Sequence, residues 1–234
     1  MKYDLALIIP FYNEEDCARE VIEDLVRVLE SNSTNYELIL VDNGSSDKTL
    51  KILQDLSNEK LKVLKLDPNR GFGGGILEGL KISNANYLGF TCGDGEVSPE
   101  DTYKVYNQLI AGNSEICKAI RASRTDNFLK IIYSKSYNTL VKLFFNLKIR
   151  DINGYPLIMK KTAYESLSLK EKDWLFNLEI LYQAKKQNLK VDEIIIKHRK
   201  RASGKSSDFS FSNLLRPIQP VLLMYYFLKY RLKN

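Results

Sequence analysis

The sequence predicts an α/β fold: a mostly parallel central sheet flanked by helices, with a basic and apolar helical extension at the C-terminus. Two features carry that prediction. Short apolar runs alternate with segments whose apolar residues recur at helical spacing, the pattern of consecutive βαβ units in an open sheet. The charge is also unevenly divided. The 234 residues carry a net +6, yet Lys197–Asn234 holds nine basic residues against one acid, Asp208, which leaves residues 1–196 at −2. The basicity therefore belongs to the C-terminal segment and its partner rather than to the fold. At 44% hydrophobic and 27% charged, with 14 Tyr and 10 Phe, the chain can bury a core, which excludes disordered and fibrous classes.

The elements follow in order. Leu5 to Ile9 reads as a buried strand ended by Pro10. From about Glu14 to Glu30, residues Ala18, Val21, Ile22, Leu25 and Leu29 share a helical face, with Asn13 as N-cap and the acids at 14–16 against the positive helix end. A strand over Tyr36–Val41, a helix from near Ser46, a strand over Leu61–Leu66 and a helix after the glycines at 71–75 come next. Tyr87–Thr91 is a fourth strand, and Pro99 stands where the first residue of another helix belongs. There is no internal repeat and no domain boundary before about residue 197, so residues 1–210 form one domain and 211–234 a helical tail.

In an open parallel sheet, ligands bind beyond the carboxyl ends of the strands. Those ends read Pro10-Phe-Tyr-Asn-Glu14, Val41-Asp-Asn-Gly-Ser45, Asp67-Pro-Asn-Arg-Gly71 and Cys92-Gly-Asp-Gly-Glu96. A single Asp after a strand is usually a helix cap, but several on one rim converge on a crevice. Several classes fall away. Cys17, Cys92 and Cys117 form no CxxC pair, which argues against a zinc site or disulfide framework and for a reducing cytoplasm. No run reaches the roughly 18 apolar residues of a membrane span. Gly71, Gly73, Gly74 and Gly75 lack both the GKS/T ending of a phosphate loop and the dinucleotide-binding spacing.

IIPFYNEE, ELILVDNGSSDKT, NRGFGGGILEGL and CGDGEVSPE, in this order and spacing, resemble a family 2 glycosyltransferase. DINGYP at 151–156 and RASGKS at 201–206 resemble the polyprenyl-phosphate sugar transferases within it, the dolichyl-phosphate mannose synthase-like group. The resemblance runs from about residue 5 to about 210 and implies the Rossmann-like glycosyltransferase-A fold.

It also implies roles. Asp42 matches an Asp that accepts from the nucleotide base, and a carboxylate, acceptor-only, suits the N–H of uracil or guanine. Pro10 and Tyr12 match positions lining the base, and Glu14 one near the ribose hydroxyls; Asn43 stands where relatives often carry a second Asp and reads as structural. The family's DxD metal motif matches Cys92-Gly93-Asp94, so Cys replaces the first Asp while Asp94 and Glu96 remain as ligands for Mg²⁺ or Mn²⁺. Asn69 and Gly71 lie beside the donor by the same match. Arg124 and Arg201 match arginines near the phosphates, for which a guanidinium fork is suited. Asp151 borders the acceptor side, where orienting the acceptor and holding the Asn153-Gly154 turn remain alternatives. Glu179 matches a frequent acidic position, against the plainer reading of a helix surface carboxylate.

The implied reaction is inverting, metal-dependent transfer of a sugar from a nucleotide diphosphosugar (UDP- or GDP-linked) to a polyprenyl phosphate, with Asp94, Arg201 and Asp151 at the reacting groups. A phosphate acceptor is already ionised at neutral pH. A sugar hydroxyl would need a carboxylate base, for which Asp151 and Asp173 are the candidates. His198 is the only histidine. Val221–Leu228, flanked by Lys229, Arg231 and Lys233, fits an interfacial anchor, which places the protein on the cytoplasmic face of a membrane, peripheral or held by a membrane partner. A helix packed on the domain or in a homodimer interface fits the same residues. Three further readings stay open: extension of a lipid-linked oligosaccharide or surface polysaccharide, a non-catalytic nucleotide-sugar-binding homologue motivated by Cys92, and a nucleic-acid patch at 197–205. The completed upstream motifs disfavour the last, so no nucleic-acid partner is expected.

Overall fold

The computed structural model describes residues 1–121, 128–173, 175–197 and Tyr225, with side chains in 128–145 described from Ser136 onward. The first half runs β1 (Tyr3–Phe11), α1 (Ala18–Ser31), β2 (Tyr36–Asn43), α2 (Thr49–Asp55), β3 (Leu61–Leu66), α3 (Gly71–Ile82), β4 (Ala85–Phe90) and α4 (Pro99–Ala111). The second runs β5 (Ile116–Arg121), α5 (Phe128–Phe145), β6 (Leu157–Lys160), α6 (Lys161–Ser166), α7 (Phe176–Lys186) and β7 (Val191–Ile196). Seven strands form one sheet in the order β3-β2-β1-β4-β6-β5-β7. Only β6 runs against its neighbours β4 and β5; the other paired strands are parallel, as expected.

Burial follows position in the sheet. All eight residues of β2 are buried, the continuous apolar run of a strand covered on both faces, whereas β3 and β7 at the edges are mostly half-buried. Leu5, Leu7 and Ile9 of β1 face Ile22, Leu25 and Leu29 of α1 and Val105 and Leu109 of α4. Ala6 and Ile8 face Ile76 and Leu80 of α3 and Phe176 and Ile180 of α7. Each fully buried aliphatic side chain contributes about 2 kcal/mol of transfer free energy, so this two-sided core fixes the strand ends that make the rim. A third cluster joins α5 to α7 through Val141, Phe145, Ile152, Leu178 and Leu181. Tyr225 packs against it, its ring centroid 5.5 Å from Phe144 and 6.3 Å from Phe145, so at this residue the tail lies on the domain. Among the described residues no helix is long and apolar enough to cross a membrane.

Four local expectations are corrected. Pro10 does not end β1; the strand continues to Phe11. Thr91 N–H donates to the Ile8 carbonyl, so by alternation the side of Pro10 that lacks an N–H also faces β4, where pairing has already stopped at Ile8–Phe90. Asn13 does not cap α1, which starts at Ala18; at φ 55° its side chain instead accepts from Ser46 N–H. The helix expected near Ser46 begins at Thr49, because residues 45–48 bond to the loop after β1. The glycines at 71–75 lie inside α3 rather than before it. A Cβ on Gly73 would sit 2.7 Å from the Phe176 Cβ, so the missing side chain lets α3 close on α7. Pro99 does begin α4, with Ser98 Oγ accepting from Asp101 N–H.

Candidate functional site

The loops at the carboxyl ends of β1, β2, β3 and β4 are joined into one rim by their own polar groups. Asn13 N–H donates to Ser45 Oγ (3.1 Å), Glu14 N–H to Thr49 Oγ1 (2.8 Å), Glu15 N–H to Asp47 Oδ2 (3.2 Å) and Lys48 N–H to Glu15 Oε2 (3.0 Å). Asp47 also accepts from Thr49 N–H, and these bonds hold its carboxyl below the usual range against the opposing pull of burial. The loop carrying Tyr12 and Glu14 is thereby fixed beside the end of β2.

Asn43 makes the next join. Its Oδ1 accepts from Arg70 N–H and its Nδ2 donates to the Gly71 carbonyl, each at 2.9 Å, so it ties β2 to the start of α3. This is the structural part expected of it. Asn69 Oδ1 accepts from Gly71 N–H at 2.8 Å, and Gly71 at φ 75° turns the chain into α3. On the other side Gly93 lies against β1: a Cβ there would meet the Phe11 ring and, at 2.9 Å, the Pro10 carbonyl. Cys17 Sγ lies 3.5 Å from Glu14 Oε2 and 3.6 Å from the Gly93 carbonyl, which brings the loops after β1 and β4 together.

Within this rim Asp42 is 1% exposed, and its Oδ1 has no hydrogen-bond partner among the described residues. A buried, unmatched carboxylate oxygen costs on the order of 1–3 kcal/mol or more, so this acceptor stands out at the end of β2. Pro10 is half-buried, Tyr12 exposed and Glu14 buried, so one wall grades from apolar to open.

Asp94 and Glu96 occupy the turn after β4, both half-buried, with Asp94 Oδ1 accepting from Glu96 N–H at 3.1 Å. Both are hard-oxygen groups. Cys92 is a different kind of group. Burial first, then the Asp94 carboxylate, push its thiol well above the usual range, and a sulfur is a soft, poor ligand for a hard cation. Among the described residues no cluster of three or more His, Cys, Asp or Glu forms a metal cage. Two carboxylates with the remaining positions left to phosphate oxygens and water match how Mg²⁺-type cations are held beside a diphosphate.

The far half of the sheet brings up groups that sequence reasoning missed. Asp151, buried, is held by Arg121 through Nε to Oδ2 and Nη2 to Oδ1, each at 2.8 Å. The Arg121 guanidinium lies over Tyr155, 5.5 Å from the ring centroid, and Tyr155 Oη donates to Glu96 Oε2 at 3.2 Å. Beneath them Lys118, fully buried, donates to the Ala119 and Asp151 carbonyls. Tyr155 stands inside the DINGYP motif, but nothing in the spacing aims it at Glu96; Arg121 and Lys118 carried no signal beyond lying on a strand. Asp173 is exposed and lies outside this network. Glu179 is buried, not a surface carboxylate: Oε2 accepts from the N–H groups of Lys170 and Glu171, both at 2.9 Å, which braces the segment before α7. Arg124, Arg201 and His198 lie outside the described residues.

Three comparisons bear on this arrangement. The family model described as glycosyl transferase family 2 matches residues 6–168. Among characterised relatives, the dolichyl-phosphate beta-glucosyltransferase of Drosophila melanogaster is 29% identical over 228 residues, covering 88% of this chain and 70% of the relative. The UDP-N-acetylglucosamine--dolichyl-phosphate N-acetylglucosaminyltransferase of Methanococcus voltae is 29% identical over 216 residues, covering 82% and 84%. A crystal structure of glucosyl-3-phosphoglycerate synthase from Mycobacterium tuberculosis, with Mn²⁺, uridine diphosphate and phosphoglyceric acid, superposes with a TM-score of 0.75 at 15% identity, covering 95% of this chain and 78% of that one. The mixed seven-stranded sheet flanked by helices is thus the glycosyltransferase-A fold. The chain belongs to glycosyl transferase family 2 and is a glycosyltransferase.

Proposed function

We propose that this enzyme transfers a sugar, with inversion, from a nucleoside diphosphate sugar, most simply a UDP-sugar, to a polyprenyl phosphate at a membrane surface. The observation that carries the donor half is Asp42, a buried carboxylate whose Oδ1 lacks a partner among the described residues and suits the imide N–H of uracil. Pro10 and Tyr12 would flank the base, Glu14 the ribose, and Asn69 and Gly71 the edge beside the donor. The acceptor half is supported by the two relatives, whose names share dolichyl phosphate and differ in the sugar.

The acceptor phosphate oxygen attacks the anomeric carbon from the face opposite the diphosphate. A C–O bond forms there as the bond to the diphosphate breaks, and the nucleoside diphosphate leaves with the electron pair. A phosphate acceptor is ionised at neutral pH and needs no general base. That agrees with Asp151, whose two oxygens are both engaged by Arg121 and are poorly placed to take a proton. Asp94 and Glu96 would hold a divalent cation, Mg²⁺ or Mn²⁺, which when bound neutralises charge on the departing diphosphate. Arg201 and Arg124 are assigned to the same phosphates by their sequence motifs. The apolar and basic residues of 211–234 would keep the enzyme at the surface that carries its lipid acceptor.

The test is calorimetric titration with UDP, GDP, CDP and dTDP, with and without Mn²⁺, on the wild type and on Asp94→Ala, followed by transfer to dolichyl phosphate in vesicles. Metal-dependent binding of UDP, lost in Asp94→Ala, with product on the lipid phosphate, is the expected result. Failure of all four nucleotides in the presence of Mn²⁺ would overturn the donor assignment. Transfer only to sugar hydroxyls would overturn the acceptor.

A further inference from the structure

One side-chain hydrogen bond links the turn after β4 to the loop before β6. Glu96, on the turn after β4, receives the Tyr155 hydroxyl at 3.2 Å across 59 residues of sequence. Tyr155 is itself fixed in place. Its ring lies 6.4 Å from Phe72 of α3, and the Arg121 guanidinium sits 5.5 Å from its centroid. Arg121 is locked in turn by the two-pronged bond to Asp151, whose backbone carbonyl accepts from the buried Lys118. The links differ in kind: a charged fork, a cation over an aromatic ring and a hydroxyl-to-carboxylate hydrogen bond.

A phenol aimed at a carboxylate fixes the direction in which that carboxylate presents its oxygens. Outer groups of this kind orient a ligand and account for a sizeable share of a site's affinity. We propose that Tyr155 is a positioning residue: its hydroxyl holds Glu96 in the orientation that receives a divalent cation with the donor diphosphate, and Arg121 with Asp151 sets the ring. This rests on the reading of Asp94 and Glu96 as facing the donor diphosphate.

Tyr155→Phe keeps the ring and its stacking and removes only the hydroxyl. The experiment measures UDP affinity with and without Mn²⁺ in the wild type, Tyr155→Phe, Glu96→Ala and the double variant, together with the melting temperature of each. A hydrogen bond to a charged group corresponds to about a tenfold change in affinity. Tyr155→Phe is therefore expected to lose about tenfold of the Mn²⁺-dependent gain in UDP affinity. Its metal-free affinity and melting temperature should stay at wild-type values, and it should cost nothing further when Glu96 is already Ala. An unchanged Mn²⁺ gain in Tyr155→Phe would overturn the proposal, as would the same loss in the Glu96→Ala background. Lowered melting with a loss that ignores Mn²⁺ would show a purely structural contact and overturn it too. If the wild type binds UDP no better with Mn²⁺ than without, the donor reading fails and this inference with it. That result is distinct from a wild type that responds and a Tyr155→Phe that responds equally.

Discussion

Arg121 reaches both oxygens of Asp151, Nε to Oδ2 and Nη2 to Oδ1, at 2.8 Å, and both side chains are about nine-tenths buried. The pair joins the end of β5 to the loop before β6, and Arg121 N–H adds a third bond to Oδ2 at 3.3 Å. Removing one member leaves the other charge buried without its partner, which costs about 3–5 kcal/mol. Asp151→Ala should therefore lower unfolding free energy in urea by that amount, and Arg121→Ala should do much the same. A loss below about 1 kcal/mol would show that the pair behaves as an exposed one and that Asp151 is held by something else.

Much of the fold was legible because the strands are short apolar runs. Leu61–Leu66 needed no adjustment, and the apolar runs Leu5–Ile9 of β1 and Leu38–Val41 of β2 announced their central place. What the sequence hid was the use of polar side chains between loops. Asn13 looked like a cap by its position before acids, but it bonds to Ser46, 33 residues on. A local rule has no access to a partner at that distance. The motifs pointed to the loops that the sheet brings together at one rim. The Glu96–Tyr155–Arg121–Asp151 chain was not legible in them, since it is assembled by β6 running antiparallel between β4 and β5, a pairing no periodicity reveals.

Asp42 shows the opposition between stability and function. Its carboxylate is buried, and one oxygen is unmatched among the described residues. Asp42→Asn removes the charge with little change of shape. It should leave the protein at least as stable as the wild type while weakening UDP binding by on the order of tenfold, because an amide oxygen accepts more weakly than a carboxylate. Parallel melting curves and UDP titrations check this. Unchanged UDP affinity in Asp42→Asn would remove Asp42 from the base site.

Burial first, then the Asp94 carboxylate, raise the Cys92 thiol well above its ordinary range. Cys92→Asp would place a third carboxylate near Asp94 and Glu96. Without a cation the like charges repel, so the variant should melt below the wild type. With Mn²⁺ the same three charges form a better cage, so its melting temperature should rise more than that of the wild type. A variant with wild-type melting and wild-type response to Mn²⁺ would mean that residue 92 faces away from the cation.

Lys118 gives the chain a pH dependence of its own. Burial first lowers its pKa, to about 8, against the raising influence of Asp151 and Glu193; Arg121 lowers it further, and neighbouring Cys117 is pushed up to about 12 and is neutral. The folded value lies below the ordinary 10.5, so between about pH 8 and 10.5 the unfolded chain binds more protons than the folded one. Stability from this group therefore rises with pH across that window. It is complete above 10.5 and lost as pH falls through 8, where a buried ammonium must be carried. The shift corresponds to something on the order of 3 kcal/mol. Lys118→Met removes the charge at every pH. Its stability relative to the wild type, from urea unfolding, should accordingly be most favourable near pH 7 and fall steadily by about pH 9.5 as the wild-type lysine deprotonates. A difference that stays flat across this range would show that Lys118 is charged and fully compensated by the two carbonyls it bonds, Ala119 and Asp151.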